Sequence, residues 1–373
     1  MRIAIDYTPA VRQTAGIGRY TRGLVQALSE VDHRNAYTLL TLGAPMESAG
    51  WPPNFAFRTS RLSEPRLSLL WHRLQVPYPA ERLTGPCDLF HSPDFTLPPL
   101  SRARGVVTVH DLSFLRVPEC SVPALRQYLE RVVPRSVARA HRVLADSTNT
   151  KEDLVALLGT PAEKVSVVPA GVESRFQPIA DRDRLETVRA RYNLPERFIL
   201  SVGTLEPRKN HPTLVSAYAE LRRRGLPQHL VIAGREGWMF EPTYARVKAE
   251  GIESDVLFLG YTEDADLPAL YNLADLMAYP SIYEGFGIPP LEAMACGVPV
   301  VCSNASSLPE TVADAALTVD PRDTAALADA MERALTDAAC RTRMIAAGRR
   351  QAAQFTWIAA AERLVEAYAD ALA

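Results

Sequence analysis

Short runs of apolar and β-branched residues recur along the chain, separated by longer stretches in which apolar positions return every three or four residues. Runs of the first kind predict buried strands, and the longer stretches predict amphipathic helices. In the first half, strands are predicted at 2–6, 37–42, 106–110, 142–145 and 165–168. Tyr20, Leu24 and Leu28 fall on one face of a helix that follows the first strand. Further helical patterns cover 123–140 and 149–158, the latter with Asn149 and Glu152 at capping distance. Pro169-Ala170-Gly171-Val172 breaks the pattern, and 177–183 reads as linker. A second series then runs through strands at 198–202, 229–233, 256–259, 275–279, 298–302 and 317–319. One of its helices is opened by Asn210 and Pro212. The end is helical, with Phe355-Thr356-Trp357 marking a kink before 358–372.

Strands alternating with helices imply parallel sheets covered on both faces. A chain of 373 residues is too long for one ordinary core. The expectation is therefore α/β: two Rossmann-like domains around one cleft, with ligands at the C-terminal ends of the strands that face it. Hydrophobic content of 47% with 23% charge describes a soluble globular protein. No stretch is apolar enough to span a bilayer, and residues 1–6 read as a strand, not a signal peptide. Cys87, Cys120, Cys296, Cys302 and Cys340 show no metal-ligand spacing, which fits a reducing cytoplasm. The net charge of −2 hides an asymmetry, because residues 1–176 carry +5 and the remainder −7. A mildly basic first half could face anionic lipid or a phosphorylated acceptor, or be drift. No basic patch interleaved with aromatics is present, which argues against nucleic acid.

Four stretches carry candidate chemistry. The first is Pro280 through Gly297, read as a strand end, a glycine loop and a helix start. Pro289 and Pro290 suit a first helical turn. Glu284 and Glu292 flank that helix N-terminus, where free N–H groups favour an anion or a hydroxyl-rich ligand. Second, Gly203-Thr204-Leu205-Glu206-Pro207-Arg208-Lys209-Asn210 follows a predicted strand. It places an Arg fork and a Lys point charge where a diphosphate would bind. Third, His110 ends the strand 106–110 and could hydrogen-bond a substrate hydroxyl or carry a proton, against a structural histidine capped by a carbonyl. His91 is a similar strand-end case, held lower because Ser92-Pro93 reads as a turn. Fourth, Thr14-Ala15-Gly16-Ile17-Gly18-Arg19 has a phosphate-loop layout. Thr21 stands where a dinucleotide fingerprint needs a third glycine, which argues against NAD. Asp181-Arg182-Asp183 and Asp264-Ala265-Asp266 have the metal-binding triplet form. The first sits in the linker and the second before a helix at 267–273, so neither is read as a metal site.

Taken together these residues resemble glycosyltransferase family 4, retaining enzymes of the GT-B fold. The resemblance rests on Glu284 through Val301, on Gly203-Thr204 with Arg208-Lys209-Asn210, on Gly16-Ile17-Gly18-Arg19-Tyr20, and on Pro169-Ala170-Gly171-Val172. Val109-His110-Asp111-Leu112-Ser113 with Pro118-Glu119 is most similar to that family's α-mannosyltransferases. The resemblance implies an acceptor-binding domain at 1–175, a nucleotide-sugar-binding domain at 176–355 and a last helix, 356–373, returning to the first domain. It implies catalytic roles for His110, Glu284, Arg208 and Lys209. Glu292 would bind the ribose, Glu284 with the amides of Gly285, Phe286 and Gly287 the donor sugar, and Ile288 would border it. Arg208 and Lys209 would neutralise the diphosphate beside Gly203 and Thr204, aided by amides near Gly16 and Gly18. It further implies front-face attack with retention and no metal or other cofactor.

Glu263 and Asp264 follow a strand whose end borders the expected base pocket. A carboxylate there would accept both donors of guanine's pairing edge, which leans towards GDP-mannose; a plain helix cap is the competing reading. The expected acceptor is a glycan or a lipid-linked saccharide. Arg61, Arg66, Arg73 and Trp71 offer peripheral membrane contact at the inner face, against a helix with solvated arginines over the core. Competing functions are a UDP-sugar-dependent transferase of the same fold, a UDP-sugar 2-epimerase, an NAD-dependent dehydrogenase, and a sugar-binding module without the Arg208-Lys209 pair.

Overall fold

The structure is a computed structural model that describes residues 1–13, 16–43, 45–46 and 50–373. Thr14 and Ala15 of the first glycine loop lie outside the described residues. The chain forms two compact units: residues 1–116, 123–171 and 356–373 make the first, and residues 117–122 with 172–355 make the second.

The first unit is built on seven parallel strands: β1 Arg2–Asp6, β2 Ala36–Leu42, β3 Phe55–Ser60, β4 Leu89–Ser92, β5 Arg104–Val109, β6 Arg142–Ala145 and β7 Val165–Val167. Their order is β3-β2-β1-β4-β5-β6-β7. Two strands escape the apolar-run pattern, for different reasons. Strand β3 lies at the sheet edge, and its Ala56, Arg58 and Thr59 are exposed, so no continuous apolar run marks it. Strand β4 is central but ends in His91 and Ser92, both buried. His91 therefore sits inside a strand rather than in the cleft-facing position expected for it. Its ring nitrogens lie 2.7 Å from the Tyr368 hydroxyl and 2.9 Å from Thr108 Oγ1, which satisfies a buried imidazole and makes it structural.

Between β1 and the helix Ile17–Val31 the chain makes one further short helix, Thr8–Arg12, where a plain loop is expected. Tyr20, Leu24 and Leu28 are all buried on the inner face of Ile17–Val31, as the spacing predicts. The helix Thr148–Leu158 is capped by Ser147, whose side chain accepts from the Thr150 N–H, and not by Asn149. Trp71 is buried rather than surface-facing; it packs in the core and donates its indole N–H to the Tyr78 carbonyl at 2.8 Å. Arg61, Arg66 and Arg73 are exposed.

The second unit has six parallel strands: β8 Phe198–Val202, β9 His229–Ala233, β10 Val256–Gly260, β11 Leu276–Tyr279, β12 Val300–Ser303 and β13 Leu317–Val319. Their order is β10-β9-β8-β11-β12-β13. One face of the sheet is covered by the helices His211–Arg223 and Thr324–Thr336, whose Leu214, Tyr218, Leu327 and Met331 are sealed against Ile199, Leu230 and Ile232. Each such side chain contributes about 1.5–3 kcal/mol on burial. The stretch expected as linker is partly helical, since Arg182–Arg191 forms a helix capped by Asp181.

The helix Trp357–Leu372 belongs to the first unit and packs on Ile17–Val31. Thr356 caps it, accepting from the Ala359 N–H at 3.1 Å. The Trp357 ring lies edge-on to Tyr20, with centroids 5.7 Å apart, and it covers Gly23 so closely that a Cβ there would overlap the indole. Gly23→Ala is therefore expected to destabilise the first unit by about 1–3 kcal/mol through overpacking. Urea unfolding followed by tryptophan fluorescence measures this; an unchanged midpoint would mean the indole moves aside freely.

Candidate functional site

In each sheet the strand order reverses once, between β1 and β4 and between β8 and β11. The loops leaving the C-terminal ends of such a strand pair diverge and leave a crevice. In the second unit these are the loop 203–209 after β8 and the loop 280–287 after β11. Their main chains join where the Ile282 N–H donates to the Arg208 carbonyl at 2.8 Å. Asn210, at φ +58°, heads the helix His211–Arg223, yet its side chain does not cap it. The amide instead donates to the carbonyls of Pro280 at 3.1 Å and Pro321 at 2.6 Å, tying the first loop to the second.

Glu284 is 6% exposed and lies between two cations. Arg208 Nη1 donates to Glu284 Oε2 at 2.8 Å and to the Tyr283 carbonyl at 2.9 Å, while Arg208 Nη2 donates to Glu206 Oε1 at 2.8 Å. Lys209 Nζ donates to Glu284 Oε1 at 2.7 Å and to the Tyr279 hydroxyl at 2.6 Å, and that hydroxyl also donates to Glu284 Oε1 at 3.0 Å. Burial alone would raise the Glu284 carboxyl. Arg208 and Lys209 outweigh it and hold the group down at about 2. At neutral pH Glu284 is an anion with both oxygens engaged. The fold thus brings Arg208, Lys209 and Glu284 into one cluster, and it adds Glu206 and Tyr279, which no spacing in the sequence singles out.

The main chain of this loop is equally fixed. Ser306, itself at φ +51°, accepts from the Glu284 N–H at 2.7 Å. Ser307 Oγ donates to the carbonyls of Glu284 and Phe286 at 2.9 and 3.0 Å, and Thr311 Oγ1 donates to Phe286 O at 2.6 Å. Gly285, Phe286 and Gly287 are buried within the loop, and Gly287 heads the helix Ile288–Ala295, with Pro289 and Pro290 in its first turn. Glu292, on that helix, is 1% exposed, and its Oε2 accepts from the Tyr271 hydroxyl at 2.9 Å. Gly203 lies under the aliphatic part of Lys209. The β9 loop closes on Gly203 and Thr204: a Cβ at Gly234 would overlap the Gly203 carbonyl, and one at Gly237 would press on the Thr204 methyl.

Glu263 is exposed and Asp264 half-buried in the loop after β10; the Tyr192 hydroxyl accepts from the Glu263 N–H, and Arg175 donates to the Asp264 carbonyl. Among the described residues no group of three His, Cys, Asp or Glu could hold a metal ion. Asp181 accepts from the Arg184 N–H, and Asp266 takes Arg191 at 2.6 Å and Tyr192 at 2.9 Å, so neither acidic triplet converges on a common point.

His110, Gly16 and Gly18 belong to the first unit. Gly16 heads the helix Ile17–Val31, and Gly18 is required for packing, because a Cβ there would overlap the Gln13 carbonyl. His110 is 8% exposed, with Nδ1 2.7 Å from Asp146 Oδ2 and Nε2 2.8 Å from the Pro93 carbonyl. A carbonyl can only accept, so Nε2 carries a hydrogen, and the carboxylate draws a second onto Nδ1. Burial opposes the charge, but Asp146, Asp94 and the Pro93 carbonyl prevail and push the imidazole up to about 9. A substrate hydroxyl reaching this ring would compete with Pro93 or Asp146.

Two parallel Rossmann-like sheets, one with a buried carboxylate–cation cluster at its switch point, define the GT-B class of fold. The chain matches two family models, "Glycosyltransferase Family 4" over residues 14–176 and "Glycosyl transferases group 1" over residues 186–351. It is 36% identical over 282 residues to the O-antigen chain mannosyltransferase B of Escherichia coli, covering 75% of this chain and 74% of that one. It is 34% identical over 237 residues to the serotype-specific mannosyltransferase WbdA of the same species, covering 62% of this chain but only 29% of that relative's length. The fold of HepE from Anabaena, solved with UDP and glucose, superposes with a TM-score of 0.73 at 19% identity, covering 99% of each chain. The chain belongs to glycosyltransferase family 4.

The His110–Asp146 pair makes the first unit sensitive to alkali. A group whose value is raised from 6.5 to about 9 on folding contributes stability that is complete below pH 6.5 and lost as pH rises through 9. Urea unfolding should show the wild type losing up to about 3 kcal/mol between pH 6.5 and 9.5. Asp146→Asn should start lower and stay flat across that window; a parallel loss in both proteins would remove the pair as the cause.

Proposed function

We propose that this protein is a retaining hexosyltransferase that moves α-mannose from GDP-mannose to a glycan or lipid-linked saccharide. The observation that carries the reading is the Arg208–Glu284–Lys209 cluster at the second switch point, and the two mannosyltransferase relatives give it its direction. In this reading Arg208 and Lys209 meet the departing diphosphate. Glu284 and the amides of Gly285, Phe286 and Gly287 hold the sugar beside Ile288, and Glu292 holds the ribose. Gly203 and Thr204 border the diphosphate.

The chemistry follows from charge. Glu284, held at about 2 with both oxygens engaged, is a feeble base and a poor nucleophile. As a fixed anion it stabilises positive charge developing on the sugar, while the two cations stabilise the leaving group. The leaving phosphate is the stronger base, with a second pKa near ~6. It takes the proton of the attacking hydroxyl as the new bond forms on the same face, which gives retention without a metal. Glu263 and Asp264 support guanine over uracil as the base read beside β10. A UDP-sugar donor is the second reading, favoured by the likeness to a fold solved with UDP and glucose.

Purified protein offered GDP-mannose, UDP-glucose and related donors in EDTA, with release of nucleoside diphosphate followed, is expected to act on GDP-mannose. Exclusive turnover of UDP-sugars would refute the guanine reading, and activity restored only by Mg²⁺ would refute the metal-free one. Arg208→Ala should weaken GDP binding about 10- to 100-fold in calorimetry; unchanged affinity would take Arg208 out of the site.

We also propose that the first unit works at the cytoplasmic membrane face. Among the described residues no helix is long and apolar enough to cross a membrane. The surface contact would come from Leu69, Leu74 and Val76, exposed beside Arg66 and Arg73. Co-sedimentation with anionic vesicles should fall on Leu74→Glu; wild-type protein that stays in the supernatant would dismiss the contact.

A further inference from the structure

Glu206 has no role in the reading above, yet it is built into the cluster. It is 6% exposed, and its Oε1 accepts from Arg208 Nη2 at 2.8 Å while Nη1 of the same guanidinium serves Glu284 and the Tyr283 carbonyl. Its position is not accidental to the fold. The adjoining Leu205 donates to the Arg235 carbonyl and accepts from Gly237, so the residue is anchored through the β9 loop. Without ligand the cluster holds two carboxylates, Glu206 and Glu284, and two cations, Arg208 and Lys209, for a formal charge of zero.

We infer that Glu206 is a positioning residue that aims the Arg208 guanidinium and, through its own charge, keeps the nucleoside diphosphate product from binding too tightly. The inference rests on the proposed diphosphate site at Arg208 and Lys209. A diphosphate carries two or three negative charges to a pair of cations whose charge is already matched. Glu284 has a partner in the developing positive sugar during the reaction, whereas Glu206 stays paired with the guanidinium and therefore opposes the phosphate throughout. Once the sugar has left, that opposition favours release. A neutral group of the same shape would still accept from Nη2 and still aim the guanidinium, but it would not oppose the phosphate. Coulomb's law puts the difference at about tenfold in affinity for charges some ~6 Å apart in a half-screened site.

The test is calorimetric titration of GDP and UDP into the wild type, Glu206→Gln, Glu206→Asp and Glu206→Ala, each first shown by circular dichroism to melt cooperatively. Glu206→Gln is expected to bind diphosphate about tenfold tighter. The product inhibition constant should fall in parallel, and kcat should fall while KM for the donor does not rise. Glu206→Asp keeps the charge and withdraws the oxygen, so its affinity should not rise; Glu206→Ala, which frees the guanidinium, should bind more weakly than Glu206→Gln. Equal or weaker binding in Glu206→Gln overturns the inference while leaving the diphosphate site standing. Should Glu206→Gln fail to fold, tighter binding by Glu206→Asp than by the wild type would overturn it as well. Wild-type protein that binds neither nucleotide overturns the proposed site, and this inference with it.

Discussion

A buried carboxylate shared by two cations is the constraint on which the second unit's functional end depends. Glu284 could not be sealed in the loop after β11 as a lone anion, because the cost of removing an unpaired charge from water exceeds what such a loop could offset. Arg208 and Lys209 arrive from the loop after β8, so the pairing forces the two loops together. Removing either partner from a buried pair of this kind typically costs about 3–5 kcal/mol. The secondary supports follow the same demand: Asn210 ties one loop to Pro280, and Ser306, Ser307 and Thr311 fix the other's main chain. The result is a rigid set of charges whose positions do not wait for a ligand, which is the condition for electrostatic stabilisation of a transition state.

The first unit applies the same physics to a different pair. His110 is held by acceptors on both ring nitrogens, so burial, which would ordinarily neutralise an imidazole, ends with a charged one. His91, one strand away, has two hydroxyls as partners instead, and burial pushes it down to about 3. Two histidines, one inside β4 and one just past the end of β5, thus part company because one faces a carboxylate and the other does not. A strand-end position in the sequence says nothing about that difference.

What the sequence discloses follows from how locally each feature is encoded. Parallel strands buried on both faces read as continuous apolar runs, so β1, β6, β8 and β9 stand at their expected residues. Strand β3 is hidden by its exposed Arg58 and Thr59, and β4 by Ser92 and by His91, whose partners Tyr368 and Thr108 lie outside the strand. The meeting of Arg208, Lys209 and Glu284 is legible because each lies in a loop that follows a strand end. Glu206 and Tyr279 are not, since a glutamate two places from an arginine and a tyrosine at the end of an apolar run have ordinary explanations until the fold brings them together. Trp71 shows the opposite error: set between Arg66 and Arg73 it resembles a surface aromatic, and the packing around it shows a core residue.

The two glutamates that flank the helix Ile288–Ala295 look interchangeable in the sequence, and the fold separates them by their partners. Glu284 lies between two cations, and Glu292, on the helix itself, accepts from the Tyr271 hydroxyl. A carboxylate neutralised by cations keeps its charge under nearly all conditions but surrenders its basicity. That property suits an anion that must face positive charge without taking a proton. If Glu284 cannot act as the base, the acceptor's proton must go elsewhere. In the proposed reaction the most basic oxygen released is on the departing phosphate, so leaving-group stabilisation by Arg208 and Lys209 and the choice of base would trace back to one arrangement of charges.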